Sequence, residues 1–237
     1  MSELFYRNAC SSTNDEINDV LLYPQSNFVG LYTFNQIKGR GQYGNSWTSV
    51  AEQNLAYTLA VKASCILHSD FLFNYYTAIA VQNYLANLTE KIVKIKWPND
   101  IIVKNKKVVG ILIEKKKINQ ENYFIIGIGI NILQENFDEI SNAGSLLTQT
   151  GKTFNLNQFT ENLHLFLIEK LTHIPNDDEI LAEFNSCLFR KDEISVFELD
   201  KTRQNGIIRN ADENGEIWIE LESGLRSFYH KEIKLLY

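Results

Sequence analysis

The stretch Lys94–Glu114 reads KIKWPNDIIVKNKKVVGILIE, and it predicts a β-strand that ends in a tight turn. Val93, Ile95 and Trp97 alternate with lysines, which is the period of a half-buried strand. Pro98 has no N–H group to donate to a neighbouring strand, so we expect the strand to end there. The asparagine and aspartate that follow it favour a turn.

Two apolar segments after this turn, 101–103 and 108–113, predict a β-hairpin with its own turn at 104–106. Strict alternation along the second arm places Lys107 on the same face as Val109 and Ile111. A lysine in register with an apolar face must extend to water or meet an anion. An isolated lysine with this spacing is more often solvated. Whether Lys107 meets an anion instead therefore depends on other parts of the chain.

A glycine-rich segment, GRGQYGNSW at Gly39–Trp47, comes earlier in the chain. Glycines allow the backbone to approach a ligand and to direct N–H groups at anionic oxygens. The spacing satisfies G-x-G-x-x-G, but a dinucleotide-binding fold requires a helix to begin at the last glycine. A further strand is predicted at 55–61 instead. The segment is therefore predicted to be a glycine-rich loop between two strands.

A third segment, Tyr123–Asn131, predicts a strand with two unlike faces. Isoleucines and a phenylalanine occupy one face, while Gly127, Gly129 and Asn131 occupy the other. Glycines weaken a strand and provide no packing, so we expect something to lie against that face. It is either a ligand or a neighbouring helix.

Taken together, these segments resemble biotin–protein ligases, and the resemblance extends from Ser12 to the C-terminus. It rests on the glycine-rich loop ending in Trp47, the Lys-Trp-Pro-Asn-Asp run, the lysine eleven positions later and the Gly-Ile-Leu-Ile-Glu segment. The resemblance implies an α+β fold, in which a mixed or antiparallel sheet with flanking helices is similar to the catalytic fold of class II aminoacyl-tRNA synthetases and biotin ligases. It also implies a catalytic domain at 1–188 and a small C-terminal all-β barrel at 189–237.

The same resemblance assigns roles to individual residues. The residues expected at biotin are Ser12, Thr13, Asn14, Gln36, Gly39, Arg40, Gly41, Gln42, Lys107, Gly110, Gly127 and Gly129. Those expected at the nucleotide are Arg40, Trp47, Lys96, Asn99, Asp100, Lys107 and Asn131. Lys107 and Arg40 are the expected catalytic residues, and Asp100 is a candidate ligand of Mg²⁺. ATP and Mg²⁺ are the implied cofactors, with biotin as the substrate.

Composition excludes some classes of protein. The chain has 237 residues, a formal net charge of −6 and a pI of about 5.3, which argues against a general nucleic-acid binder. Its three cysteines are widely spaced without a metal-ligand pattern, as expected in a reducing compartment. We find no signal peptide and no membrane span in the sequence, so a cytoplasmic protein is expected.

The remaining segments are predicted from periodicity and turn residues. Phe71, Tyr75, Ala78, Val81, Leu85 and Leu88 predict a core-facing helix, and Ser12 is expected to cap an earlier one. Further helices are predicted around 159–170 and 180–184. Residues 115–122 are expected to form a solvated turn, and 133–153 a segment rich in loops. The family resemblance implies that this second segment is mobile without ligand. His164 and His173 are expected to be surface or interface groups rather than ligands of a metal. A turn at Asn205–Gly206 is expected within the C-terminal strands.

The resemblance implies a two-step reaction. Biotin and ATP form biotinyl-5′-AMP, and the biotinyl group then passes to a lysine of a carrier domain in acetyl-CoA carboxylase or a related carboxylase. A lipoate or octanoate transferase is an alternative from the same fold, and a repressor that holds biotinyl-AMP is one from another class. Because only eleven residues precede Ser12, no DNA-binding domain is expected, and the protein is expected to act without DNA as a monomer or homodimer.

Gln42 departs from the family pattern, since many biotin ligases have a second arginine at this position. A neutral amide is expected to retain a charged adenylate less well than a guanidinium. We therefore predict that Gln42→Arg leaks less biotinyl-5′-AMP into solution than the natural chain, as measured by chromatography of the released intermediate during turnover. Equal leakage would contradict this role.

Overall fold

The computed structural model describes residues 3–22, 26–137 and 140–237. Its strands are β1 (Glu3–Tyr6), β2 (Phe28–Thr33), β3 (Gly39–Arg40), β4 (Ser46–Trp47), β5 (Asn54–Lys62), β6 (Val93–Lys96), β7 (Asp100–Val103), β8 (Lys106–Ile118), β9 (Glu121–Asn131), β10 (Ile194–Leu199), β11 (Thr202–Ala211), β12 (Ile217–Leu221), β13 (Gly224–Phe228) and β14 (Lys234–Leu236). Its α-helices are α1 (Thr13–Val20), α2 (Asp70–Thr89), α3 (Leu146–Thr150), α4 (Leu156–Thr172) and α5 (Asp177–Cys187).

A seven-stranded mixed sheet forms the centre of the molecule, in the order β1-β2-β5-β9-β8-β7-β6. β1 pairs with β2 in parallel, and all the other neighbours are antiparallel. The interior strand β5 is almost entirely buried because both of its faces are covered. The predicted α+β fold is confirmed.

Helices cover the two faces of this sheet unequally. α2, α4 and α5 pack on one face, where the ring of Tyr75 stacks on Phe184 at 3.9 Å between centroids. α1 packs on the other face through Ile17 and Leu21. Ser69 caps α2 by accepting a hydrogen bond from the Leu72 N–H, as its sequence suggests. One predicted core residue differs: Phe71 is 44% exposed, because it lies in the first turn at the edge of the helix contact.

A β-bulge changes the predicted face of Lys107. Ile101 pairs with Val109 and Ile102 pairs with Lys107, which leaves Val108 as an extra residue. Val108 and Val109 are consequently both buried, and Lys107 lies on the side of the sheet that carries Gly110. The prediction that Lys107 shares a face with Val109 and Ile111 was wrong.

Two further predictions about local structure need correction, and a third is refined. Residues 115–122 are mostly strand, because β8 and β9 continue to a two-residue turn at Asn119 and Gln120. The segment 133–153 contains α3, whose N-terminus is stabilised by a capping box between Ser145 and Thr148. His164 is 2% exposed and belongs to the core, whereas His173 is exposed as predicted.

The C-terminal strands form a second sheet, antiparallel throughout, in the order β13-β12-β11-β10-β14. Its turns at 212–215 and 222–223 contain residues that favour turns, but Asn205 and Gly206 lie inside β11 rather than in a turn. Phe197, Ile208 and Ile219 on its inner face join the same apolar cluster as the large sheet. Among the described residues, no helix is long and apolar enough to cross a membrane.

His164 gives a prediction about stability. Its Nδ1 and the Tyr57 hydroxyl share a hydrogen bond of 2.8 Å, and burial lowers the pKa of His164 from 6.5 to about 4. A histidine with a lowered pKa stabilises the fold above pH 6.5, and this stabilisation is lost as the pH falls towards 4. The loss amounts to about 3 kcal/mol.

We therefore expect the free energy of unfolding of the natural chain to fall by about 3 kcal/mol more than that of His164→Gln over this pH range. Denaturant titrations at several pH values measure the difference. His173→Gln, at the end of the same helix, is the control and should follow the natural chain. Parallel curves for the natural chain and His164→Gln would contradict the assignment.

Candidate functional site

A cavity of about 510 Å³ opens between the two sheets. Its walls come from the beginning of α1, the glycine-rich loop, the pocket-facing sides of β8 and β9, and the inner face of the C-terminal sheet. Most of the site residues predicted from the sequence lie on these walls, although some of them are more than a hundred positions apart in the chain.

One end of the cavity is polar and uncharged. Ser12, Thr13, Asn14 and Gln36 line it, and the first three are almost fully buried. Ser12 occupies the N-cap position of α1, as predicted. Its side chain, however, makes no capping hydrogen bond. A hydroxyl that does not bond its own helix remains available to a ligand.

Hydrogen bonds fix the orientation of these groups. The Gln36 Oε1 accepts from the Thr13 N–H at 2.9 Å, which leaves its amide nitrogen available as a donor. The Asn14 Oδ1 accepts from the Thr58 hydroxyl at 2.7 Å, and its Nδ2 donates to Glu114 at 3.0 Å. An amide nitrogen has two hydrogens, so Asn14 retains one donor for a ligand.

The glycine face of β8 and β9 is occupied by two side chains of the protein itself. A Cβ atom at Gly127 would overlap the Asn14 amide, and one at Gly129 would overlap the Trp47 indole. A Cβ at Gly110 would lie 2.9 Å from the same indole. The glycines therefore make room for Asn14 and Trp47, and the prediction that something lies against this face is correct. At Gly127 the packed group is a side chain of helix α1, which is one of the two alternatives that the sequence left open. At Gly129 and Gly110 it is the indole of the glycine-rich loop.

The glycine-rich loop folds as a small hairpin of β3 and β4. The Arg40 guanidinium is paired with Asp15 at 2.7 Å and Glu114 at 3.0 Å, so it lies beside the uncharged end of the cavity. The Trp47 Nε1 and the Gln42 Oε1 are both buried without a partner within the described ranges. Buried polar atoms of this kind are costly unless a ligand or water bonds to them.

The opposite end of the cavity is cationic. Lys107 lies 2.6 Å from Asp100, whose other oxygen is 3.7 Å from Lys96. The Asn99 amide donates to the Ile111 carbonyl and holds the turn after β6 against β8. Burial lowers the pKa of Lys96, and the charge of Asp100 opposes this shift. One carboxylate is thus shared between two lysines.

Two predicted site residues lie outside the cavity wall. Gly39 is buried beside the Gln36 amide and the Trp47 carbonyl, where a side chain would not fit. Asn131 is buried and donates to the Gly144 carbonyl at 3.1 Å, so it holds the segment that leads into α3. Both residues position neighbours of the cavity rather than line it.

The residues do not fit a magnesium site held by the protein alone. No cluster of three or more His, Cys, Asp or Glu side chains that could hold a metal occurs in the described part of the chain. The carboxylate of Asp100 is already paired with Lys107 and Lys96. Mg²⁺ commonly binds through substrate phosphates with only one or two carboxylates, so any ion here would be held mainly by the nucleotide. The role of Asp100 as a ligand stays a prediction.

The contribution of the C-terminal segment to the cavity was not predicted from the sequence. His230, Lys231 and Lys234 line the cavity beside its cationic end. The ring of His230 lies 5.1 Å from that of Tyr43 and 5.6 Å from that of Trp97, between the loop and the turn after β6. The basic residues in the last eight positions were the only available signal, and no local pattern shows that this strand folds back over the large sheet.

The chain is similar to known proteins over most of its length. It is 25% identical to the bifunctional ligase/repressor BirA of Bacillus spizizenii, covering 98% of this chain and 74% of the relative. It is also 25% identical to BirA of Escherichia coli, covering 94% of this chain and 71% of the relative.

Solved structures share the fold. Biotin protein ligase from Aquifex aeolicus, in complex with biotin and ATP, superposes with a TM-score of 0.80 at 24% identity over 99% of this chain and 98% of that one. The biotin protein ligase from Leishmania major, in complex with biotinyl-5-AMP, superposes with a TM-score of 0.68 at 19% identity. The match covers 96% of this chain and 98% of that one.

A family model matches residues 8–131, which include the beginning of α1, the glycine-rich loop, the hairpin with Lys107 and the glycine face. The chain therefore belongs to the biotin/lipoate A/B protein ligase family.

Proposed function

We propose that this chain is a biotin–protein ligase, which activates biotin with ATP to biotinyl-5′-AMP and transfers the biotinyl group to a lysine of a carrier domain. The carrier domain belongs to a biotin-dependent carboxylase such as acetyl-CoA carboxylase. The three free cysteines are consistent with a cytoplasmic enzyme. We further propose that residues 1–188 form the catalytic unit and 189–237 an appended β-unit.

The observation that carries this proposal is the polarity of the cavity. At one end Ser12, Asn14 and Gln36 offer donors and acceptors without charge, which suits a cyclic urea. At the other end Lys107 and Lys96 offer positive charge, which suits a carboxylate that meets a phosphate. Biotin has a urea and a carboxylate at its two ends, whereas lipoate and octanoate have no group for the uncharged polar end.

Lys107 has the central role in the first step. A carboxylate oxygen of biotin attacks the α-phosphorus of ATP, forming the new O–P bond while the P–O bond to pyrophosphate breaks. Both reactants are anionic, so a fixed ammonium group between them offsets their repulsion and stabilises the charge that develops. Asp100, at 2.6 Å, holds the ammonium group of Lys107 in position.

In the second step the carrier lysine, as the free amine, attacks the carbonyl carbon of the mixed anhydride. The C–O bond to phosphate breaks, AMP leaves, and the nitrogen loses a proton. Ordering of the loop at Trp47 should exclude water from this reactive intermediate. Arg40 would leave Asp15 and Glu114 and turn towards the phosphate, because a guanidinium binds phosphate well.

ATP–pyrophosphate exchange with the purified protein tests the proposal. Exchange is expected with biotin and absent with lipoate or octanoate, and biotin should then be incorporated into a carrier domain. Exchange with lipoate or octanoate in place of biotin would assign the chain to the other branch of the family. If no acid supports exchange, the proposal fails, and the chain is an ATP-independent transferase or a non-enzymatic binder.

A further inference from the structure

Three charged residues lie beside the uncharged end of the cavity without lining it. Asp15, Glu114 and Lys116 are not among the residues of the described wall, so we do not expect them to touch a ligand. Glu114 and Lys116 share one face of β8, because alternate residues of a strand point to the same side. Asp15 lies in the first turn of α1, and its carboxylate is 3.4 Å from the Lys116 ammonium. The three residues therefore connect α1 to β8.

One oxygen of Glu114 bonds to two groups that have different parts in the proposed reaction. Its Oε2 accepts a hydrogen bond from the Asn14 Nδ2 at 3.0 Å and another from the Arg40 guanidinium at 3.0 Å. Asn14 belongs to the uncharged end, whereas Arg40 belongs to the glycine-rich loop. The Glu114 side chain is 25% exposed and Asn14 is 4% exposed, so salt screens these contacts less than it screens pairs on an open surface. Glu114 thus ties the loop to a residue that is expected to bind biotin.

The charges of this cluster balance only while Arg40 remains in it. Arg40 and Lys116 supply two positive charges. Asp15 and Glu114 supply two negative ones. Lys116 is also held by the Asn14 carbonyl, to which its ammonium donates at 2.7 Å. When Arg40 turns towards a phosphate, one lysine is left with two carboxylates, so the cluster competes with the phosphate for the guanidinium.

We infer that Glu114 and Asp15 are positioning residues, which hold Arg40 away from the phosphate and thereby set how firmly biotinyl-5′-AMP is retained. This inference rests on the proposed function, in which Arg40 leaves both carboxylates. One guanidinium then has two alternative positions, the cluster and the adenylate. Weakening the cluster shifts Arg40 towards the adenylate, because the difference in free energy between the two positions sets their populations.

Glu114→Gln is therefore expected to slow the release of biotinyl-5′-AMP, whereas general damage to the site would accelerate it. The neutral side chain attracts Arg40 less, and release should be about two- to fivefold slower, as expected when one partly exposed ion pair is lost. The amide oxygen can still accept from the Asn14 Nδ2, so the affinity for biotin alone should stay within about twofold. Chromatography of free adenylate after dilution of the loaded protein measures release, and titration calorimetry measures biotin affinity.

Matched variants make the test specific. Asp15→Asn, at the second carboxylate, should also slow release, and the double variant should slow it more than either single change. Asp19→Asn, an exposed aspartate of the same helix outside the cluster, is the control and should match the natural chain. In an Arg40→Met background, Glu114→Gln should no longer change the release rate, because no guanidinium remains to be shared. Circular dichroism melting checks that each variant is folded.

Two results would overturn the inference while leaving the proposed function intact. One is release from Glu114→Gln or Asp15→Asn at or above the natural rate. The other is an effect of Glu114→Gln that persists in the Arg40→Met background, which would assign it to Asn14 instead. If the natural chain forms no biotinyl-5′-AMP from biotin and ATP, the proposed function fails.

Discussion

Lys107→Met is expected to reduce biotin-dependent ATP–pyrophosphate exchange by about 100- to 1,000-fold. The ammonium group lies at the cationic end of the cavity, where Asp100 holds it at 2.6 Å. A fixed charge in a cavity that excludes water stabilises a transition state more strongly than the same charge does in water. The loss should appear in kcat as well as in kcat/KM, because the interaction strengthens as charge develops.

Lys117→Met is the matched control for this experiment. Lys117 is an exposed lysine on the same strand, β8, and it lies outside the cavity wall. Its replacement should leave exchange within about twofold of the natural rate, as usual for a surface position away from special features. Circular dichroism melting of both variants checks that the fold persists. Normal exchange by Lys107→Met would remove this residue from the mechanism.

Gly127→Ala is expected to raise the KM for biotin about 100-fold, with a much smaller effect on the KM for ATP. The added methyl group overlaps the Asn14 amide, which must then move from the position fixed by Thr58 and Glu114. Two hydrogen bonds to buried or partly buried groups are lost or distorted, at a cost of about 1–3 kcal/mol each. The displaced Asn14 amide is then no longer placed to donate a hydrogen bond to biotin.

Gly129→Ala, two residues further along the same strand, provides the comparison. Its methyl group overlaps the Trp47 indole and leaves the Asn14 amide in place. We therefore expect Gly129→Ala to change the intrinsic fluorescence from Trp47 and to affect retention of the adenylate more than the binding of biotin. Titration calorimetry with biotin alone separates the two variants. Equal biotin affinity in Gly127→Ala and the natural chain would show that Asn14 does not position the ligand.

Local patterns in the sequence were sufficient for several elements of this protein. The alternation before Pro98 predicted β6, the spacing of apolar residues predicted α2, and the order of motifs indicated the family. These features depend on neighbours a few positions apart, and backbone sterics and side-chain periodicity fix them without the rest of the chain. Most of the candidate site residues came from the resemblance to biotin–protein ligases, which rests on the order and spacing of the motifs.

The tertiary structure alone decided where Lys107 points, what covers the glycine face and which cations the C-terminal sheet brings to the cavity. The bulge at Val108 adds a single residue, which no periodic pattern reveals, yet it moves Lys107 to the other face of β8. The placement of Asn14, Trp47 and Lys234 depends on packing between segments far apart in the chain. Such packing is set by the burial of apolar surface from both sheets together, so local sequence does not encode it.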